Sequence, residues 1–471
     1  MLIGVCRSPV KQNHRRQREK FYTWVSLTLV FCTLVVTLEP NDYVRHIDYN
    51  KKEVITKSGI RFSYEKLCLC HGARPKLIAP IAKSNVTKYI LGIRDTESVA
   101  TFQDKLKTSK RICIVGNGGI ATEMVYELEA VDIIWAIKDD SVAATFVDAG
   151  AAEFFINDFY EKSLIGKEHS SPTKRMKYTV SNEGRKRLTD GGALGPDWHG
   201  KIHTKGVTDD GLKRVHVEYN CDIKRILSAD ELKAEKLNCT VDAFQRIATF
   251  DKVSEETNWN VFIELSNGVI FGCDFIVSAT GVIPNGDNIK LIDGEEESSL
   301  VLASDGAIIV NEQMETNIKD IHAAGDVCHV NWHNSKHWVQ MRLWTQARQM
   351  GMFAAQCMYT CLNSDRNEKK DLDFCFEMFT HATKFFGYKV ILLGLFNGQK
   401  DIDYEVLLRV TKGKEYIKCV MSKDGRMQGA ILIGETDLEE TFENLILNQM
   451  DLSVYGVDLL DPNIDIEDYF D

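Results

Sequence analysis

Apolar residues crowd into short runs along most of the chain, and their period changes from stretch to stretch. Ile112 to Val115 is β-branched and has the length of a buried parallel strand. Ala121, Met124, Val125 and Leu128 then recur at the spacing of one helical face. A second run, Ile133 to Ile137, follows one helix length later, so this stretch predicts strand, turn, helix, strand. Upstream, Val44–Asp48, Glu53–Thr56 and Ile60–Tyr64 around the Ser58-Gly59 turn predict a small antiparallel meander. A strand near Leu67 and an amphipathic helix from Thr96 to Leu106 come next. Beyond Asp148 the rhythm fades. Lys162 to Arg187 is polar and basic, and Asp190 to Gly200 is rich in turn formers. A surface excursion is preferred there over a functional loop bearing Trp198 and His199. Strands resume at Val215 and Val261, and a helix is predicted from Val339 to Met358. The last stretch alternates: strands at Lys389–Gly394, Tyr404–Val410, Glu415–Met421 and Gly429–Gly434, with a hairpin turn at Lys423-Asp-Gly425 and a closing helix from Asp437 to Leu447.

The first residues break with this pattern. Arg7, Lys11, Arg15, Arg16, Arg18 and Lys20 precede an uncharged apolar run, Phe21 to Leu38. A basic flank before such a run is the pattern of a signal-anchor helix, against the readings of a buried segment or a mispredicted first exon. At 471 residues the chain has length for two or three domains. Its net charge of −11 argues against direct nucleic-acid binding, which needs clustered Lys and Arg. Thirteen cysteines lie mostly in apolar runs and without metal-ligand spacing, so they read as buried thiols in a reducing compartment, and no metal is expected.

The turn between the first strand and helix carries the chemistry. It is Gly116-Asn-Gly118-Gly-Ile-Ala121, a Gly-x-Gly-x-x-Ala fingerprint in the strand–helix–strand context a dinucleotide needs. Gly116 permits the tight turn, and Gly118 lets backbone approach a pyrophosphate at the free N–H groups of the helix start. Ala121 allows close helix–strand packing. At the end of the second strand Lys138 leans towards the 2′-phosphate of NADP, while Asp139 is near enough to serve the ribose of NAD. The sequence leaves that choice open.

Four collinear stretches resemble the two-dinucleotide-binding-domain flavoproteins, the pyridine nucleotide–disulfide oxidoreductases. They are Tyr64 to Pro75, Gly116 to Glu123, Cys273 to Asn285 with Gly281 at its turn, and Thr316 to Asp326. Three further runs, Leu194–His199, Gln340–Gly351 and Gly434–Met450, are similar to one animal subfamily within it. The resemblance implies an α/β fold with two Rossmann-like domains and an α+β C-terminal domain like that of NADH-dependent nitrite-reductase-like flavoproteins. Its expected layout leaves residues 1–43 unassigned and places the FAD domain at 44–105 and 286–360. The NAD(P)-binding domain occupies 106–285 with an insertion at about 157–260, followed by a C-terminal domain at 370–457. Residues 458–471 form an acidic tail, read as solvated rather than as a docking peptide.

The resemblance also implies FAD and NAD(P)H as cofactors, with hydride passing from nicotinamide C4 to flavin N5. Gly116, Gly118, Ala121, Glu123, Lys138 and Gly281 would hold NAD(P), Glu123 orienting the nicotinamide. Gly72 and Arg94 would line the adenine side of FAD, while Gly325 and Asp326 would hold its ribityl chain. By the same resemblance the Val339–Met358 helix packs near the flavin's pyrimidine side, where a polar residue would help stabilise the reduced flavin; a plain packed helix is the equal alternative. The protein contributes alignment and electrostatics, and no catalytic side chain is assigned. A small-molecule electron acceptor, a role in the oxidative stress response, association with the tRNA-splicing ligase and a place in cytoplasm and nucleus are implied by the subfamily.

Two departures stand out. Before Tyr64 the chain holds only Gly4 and Gly59, so the first FAD fingerprint is missing, and truncation is preferred to a lost flavin grip. No cysteine pair has the spacing of a disulfide reductase: Cys68 and Cys70 lie one apart on a predicted strand, a poor disulfide geometry, and Cys357 and Cys361 read as helix core. The acceptor is therefore expected not to be a disulfide. The alternative is an NAD(P)-binding interaction protein without turnover.

Overall fold

The structure, a computed structural model, describes residues 3–6, 33–35, 43–78, 85–161, 174–180, 206–208, 213–237, 259–293, 296–330, 332, 335–363, 369–400 and 403–463. It divides into two compact units. One comprises Met1–Arg74, Ile283–His333 and Arg342–Cys375; the other comprises Pro75–Val282, Asn334–Met341 and Phe376–Asp471.

In the first unit, Lys66–Leu69 pairs in parallel with Ile321–Ala323, Leu67 opposite Ile321 and Leu69 opposite Ala323. Apart from Lys66 both strands are buried, as their mainly apolar residues require, although Ile321–Ala323 also buries His322. The expected meander forms, and two strands from the distant segment, Lys290–Asp293 and Glu296–Ser298, extend it to five. Lys290–Asp293 runs parallel to Val44–Asp48, so residues far apart in sequence close one sheet. Ile3–Cys6 joins the opposite side of Lys66–Leu69 in antiparallel register and pairs with Thr33–Val35. Thr33–Val35 falls inside the Phe21–Leu38 apolar run weighed as an anchor, a buried segment or a mispredicted exon; the rest of that run lies outside the described residues. Among the described residues no helix is long and apolar enough to cross a membrane. The long helix runs Trp344–Asn363 rather than from Val339, because Arg342 has a φ of 51°, a left-handed conformation that a helix cannot contain.

In the second unit, five parallel strands lie in the order Arg214–Glu218, Asp132–Ala136, Arg111–Val115, Phe275–Ser278, Ile90–Leu91. Ile90–Leu91 and the helix Thr96–Leu106, expected with the FAD domain, thus belong here: Ile90 pairs with Ile276. The hairpin strands Ile223–Leu227, Val261–Leu265 and Ile270–Cys273 add a small antiparallel sheet, sharing a core with the parallel one through Cys113, Ile134, Ile263 and Phe271.

The C-terminal sheet has six antiparallel strands among the described residues. Its four predicted strands appear, with Thr380–Phe385 at one edge. At the other edge stands Lys174–Val180, from the stretch read as a surface excursion; it pairs residue for residue with Tyr404–Val410. Most of the remaining stretch, including Trp198 and His199, lies outside the described residues. The helix Glu439–Asn448 covers the sheet with Phe442, Leu445 and Ile446, which pack on Leu393, Ile417 and Leu432. Gln449, with φ 51°, ends it by donating its N–H to Leu445 O.

This sheet is bound to the parallel-sheet domain within the same unit. Phe155 on the helix Ala149–Glu161 lies 5.1 Å from Phe386 and 6.3 Å from Phe385, ring centre to ring centre. Beside them the buried Lys418 ammonium meets Asp148 at 2.6 Å and Asn397 at 2.7 Å, and the Tyr416 hydroxyl donates to Asp148 at 3.1 Å.

Candidate functional site

The fingerprint turn is built where the strand Arg111–Val115 meets the helix Gly119–Glu127. Gly116 has a φ of +131°, and a Cβ there would stand 2.1 Å from the Ala279 carbonyl oxygen. Only glycine fits. Its N–H donates to Ala136 O at 3.1 Å, and its carbonyl accepts from the indole of buried Trp135 at 2.7 Å. Gly118 differs. Its φ is −89°, and a Cβ would meet nothing within 4 Å, so the fold does not itself require glycine there. No side chain caps the helix that begins at Gly119, so its first turn has no side-chain acceptor. A bare, open helix start next to a glycine the packing does not need is what close approach of a pyrophosphate requires. Ala121 is fully buried, and Glu123 is half-buried two residues further on.

The loop after the second strand is held by a residue that pattern reading passes over. Asn117, between the two glycines, is buried and donates its amide to Asp139 Oδ2 and to Ser141 O, both at 2.8 Å. Its own Oδ1 accepts the Ala143 N–H at 2.7 Å. Asp139 is thereby engaged, Ile137 is fully buried, and Lys138 is exposed. In the sequence only the amide's donor–acceptor capacity hinted at this. Gly281, with φ +96°, also has open space where its Cβ would be. Its turn is clipped in place: the Lys76 N–H donates to Gly281 O at 2.9 Å, and the Thr280 hydroxyl donates to Lys76 O at 2.7 Å. These residues fit a nicotinamide dinucleotide.

The residues expected to hold FAD divide. Gly72 takes φ +66° at the end of the turn after Lys66–Leu69, and its carbonyl accepts the Asn285 N–H at 3.1 Å. His71 shares a 2.8 Å hydrogen bond between Nε2 and Asn285 O, while its buried Nδ1 has no partner. Burial pushes the pKa of this imidazole down. Gly325, φ +79°, and Asp326 form a one-turn 3-10 element directly after Ile321–Ala323, with Ala347 of the long helix against Gly325. Asp326 is buried to 9% exposure. A carboxylate fixed at a strand end suits ribityl hydroxyls, which it accepts from. Arg94 belongs to the second unit, its N–H donating to Ser98 Oγ at 2.9 Å ahead of the helix Thr96–Leu106. The pyrophosphate half finds no equivalent among the described residues: Ile3–Cys6 runs antiparallel to its neighbour and is followed by no described glycine turn or helix. The fit to FAD is thus with the ribityl half.

Residues 227–351 match the family described as pyridine nucleotide-disulphide oxidoreductase, and residues 381–450 match the rubredoxin NAD+ reductase C-terminal domain. The fold is similar to that of putidaredoxin reductase in its covalent complex with putidaredoxin (TM-score 0.58, 14% identity, covering 91% of this chain and 80% of that one). A ferredoxin reductase from Rhodopseudomonas palustris gives a TM-score of 0.57 at 17% identity, over 91% and 81% of the two chains. Sequence relatives are much nearer. Pyridine nucleotide-disulfide oxidoreductase domain-containing protein 1 of Homo sapiens is 50% identical over 439 residues, 91% of this chain and 83% of that protein. Its Mus musculus counterpart is 50% identical over 426 residues, 89% and 81%. The Drosophila melanogaster protein is 45% identical over 432 residues, 91% and 84%. The chain belongs to the family of pyridine nucleotide-disulfide oxidoreductase domain-containing protein 1.

Proposed function

We propose that this chain is an NAD(P)H-dependent flavin reductase that delivers electrons to a non-disulfide acceptor in the defence against oxidative stress. Its family and fold are those of the flavin-dependent pyridine-nucleotide reductases, whose cofactors are FAD and NAD(P)H. In this reading the first unit carries the flavin and the second carries the nicotinamide dinucleotide. Bound FAD supplies a two-electron acceptor for hydride. The chain's own residues bind and align. The helix start at Gly119 receives the dinucleotide pyrophosphate, Gly118 and Gly281 let backbone pass close, and Asp326 accepts hydrogen bonds from the ribityl hydroxyls. Because Asn117 occupies Asp139 and Lys138 stands free in solvent, NADPH is favoured over NADH.

The observation that carries this reading is the open, uncapped fingerprint turn at Gly118. The acceptor is proposed to be oxygen, a quinone or a protein electron carrier. The last rests on the C-terminal domain match and on putidaredoxin reductase, a structural neighbour solved joined to putidaredoxin. Association with the tRNA-splicing ligase, in cytoplasm and nucleus, is proposed on the subfamily resemblance. Purified protein is expected to show flavin absorbance and to consume NADPH with a quinone. Absence of both overturns the reading.

The second reading, a dinucleotide-binding interaction protein without turnover, is favoured by one feature: Ile3–Cys6 pairs antiparallel with Lys66–Leu69, where a dinucleotide-binding sheet runs parallel. It requires that calorimetry find NAD(P)H binding and no FAD binding in the same preparation.

A further inference from the structure

The geometry points to Cys68 and Cys70 as a peroxide-oxidisable thiol pair that closes to an intrachain disulfide, with Cys70 as the attacking sulfur and Cys68 as the resolving one. Their Sγ atoms are 3.4 Å apart. The strand Lys66–Leu69 ends just before Cys70, and Gly72 turns the chain with φ +66°. Two residues of extended strand span roughly 6.6 Å, near the upper end of the Cα separation a disulfide accepts. Leaving the strand at Cys70 gives the pair the freedom a rigid strand would deny, so the geometry is better than the sequence suggested.

Access separates the two sulfurs. Cys70 is exposed and Cys68 is buried; Cys361 and Cys375 are half-buried, and the other described cysteines are buried. Peroxide therefore meets Cys70 first. Electrostatics agree with that order. The Cys68 thiol and the Ala324 backbone amide stabilise the Cys70 thiolate and lower its pKa, whereas hydrogen bonding to Cys70 and burial raise that of Cys68. Nearby Cys328 donates its thiol to Gly325 O at 3.2 Å, and burial raises its pKa.

The Cys70 thiolate attacks one oxygen of hydrogen peroxide, the O–O bond breaks, and hydroxide leaves and takes up a proton, giving a sulfenic acid and water. The Cys68 sulfur then attacks the Cys70 sulfur, the S–O bond breaks, and a second water leaves with the Cys68 proton. Two thiols have lost two electrons to one peroxide. An external dithiol reverses the step by exchange. This chemistry lies outside the hydride path and does not depend on which electron acceptor that path serves.

The test uses the full chain as purified, treated with graded hydrogen peroxide, then unfolded in denaturant with N-ethylmaleimide present, then digested with trypsin. The peptide Leu67–Lys76 is expected to appear without maleimide and two hydrogens lighter, at lower peroxide than oxidises Cys361 or Cys375. Dithiothreitol should restore two maleimide adducts. With Cys68→Ser, dimedone should trap a sulfenic acid at Cys70; with Cys70→Ser, Cys68 should remain alkylatable. Two results overturn the proposal. One is a peptide that keeps both maleimides while Cys361 and Cys375 oxidise. The other is a dimedone adduct on Cys70 of the unmodified chain with Cys68 still free.

Discussion

Gly116 and Gly118 look alike in sequence and differ in what holds them. A methyl group at 116 would strike the Ala279 carbonyl and force an L-residue into a φ of +131°. Gly116→Ala should therefore cost about 2–3 kcal/mol of stability, measured by chemical denaturation. Gly118→Ala adds a methyl to open space, so its melting temperature should stay within a degree or two while NADPH binding, read by calorimetry, weakens about tenfold. Equal losses of stability in the two variants would contradict the assignment of Gly118 to the ligand. At Lys138, replacement by glutamate is expected to lower the NADPH-to-NADH ratio of kcat/KM by about tenfold or more, as a charge-assisted contact becomes repulsion. The glycines were legible because backbone demands restrict residue type. Asn117 was not, because its three hydrogen bonds depend on how the following loop folds back, which no local pattern encodes.

At the scale of elements, alternation and the strand–turn–helix rhythm recovered strands whose faces are buried. The strand Lys174–Val180 escaped because it is an edge strand of mixed polar residues, specified by its partner Tyr404–Val410 and not by its own pattern. The start of the long helix was misplaced because apolar spacing continues through Gln340–Leu343 while the backbone at Arg342 does not. Removing residues 174–180 exposes one edge of Tyr404–Val410, whose other edge stays paired with Glu415–Ser422, so the shortened chain should aggregate at lower temperature than the full one, seen by light scattering. The join between the C-terminal sheet and the dinucleotide domain rests on Lys418, which is 3% exposed. Lys418→Met strands the Asp148 carboxylate without its cation and should cost about 3 kcal/mol. Burial raises the Asp148 pKa, but the Lys418 ammonium, with hydrogen bonds from the Ala151 N–H and the Tyr416 hydroxyl, outweighs it and holds the carboxyl below its usual range. That stabilisation is present above the ordinary carboxylate pKa and disappears as pH falls through and below it.

Over the whole molecule, each unit holds a deeply buried histidine whose pKa burial pushes far down, and the two contribute to its response to mild acid. His322, in the strand Ile321–Ala323 of the first unit, is fully buried and neither ring nitrogen has a partner. His381, in the edge strand Thr380–Phe385 of the second, has an unpartnered Nε2. Burial lowers both to about 4. Around His322, Glu315 and Asp320 pull the other way and Lys66 adds to the depression, without changing the direction. A histidine in the unfolded chain protonates near its ordinary value of about 6.5. Between that value and about 4 the unfolded state binds more protons than the folded one, so stability falls as the solution is acidified through this window. Each histidine should remove about 2 kcal/mol between about pH 7 and pH 5, before the carboxylate ion pairs begin to protonate. Urea denaturation at those two pH values measures the loss. His322→Leu, which replaces an unsatisfied imidazole with an apolar side chain, should reduce the pH dependence of the first unit, leaving the smaller part His71 supplies, and leave that of the second intact. An unchanged midpoint between pH 7 and pH 5 in the parent chain would mean that both rings find partners in solution.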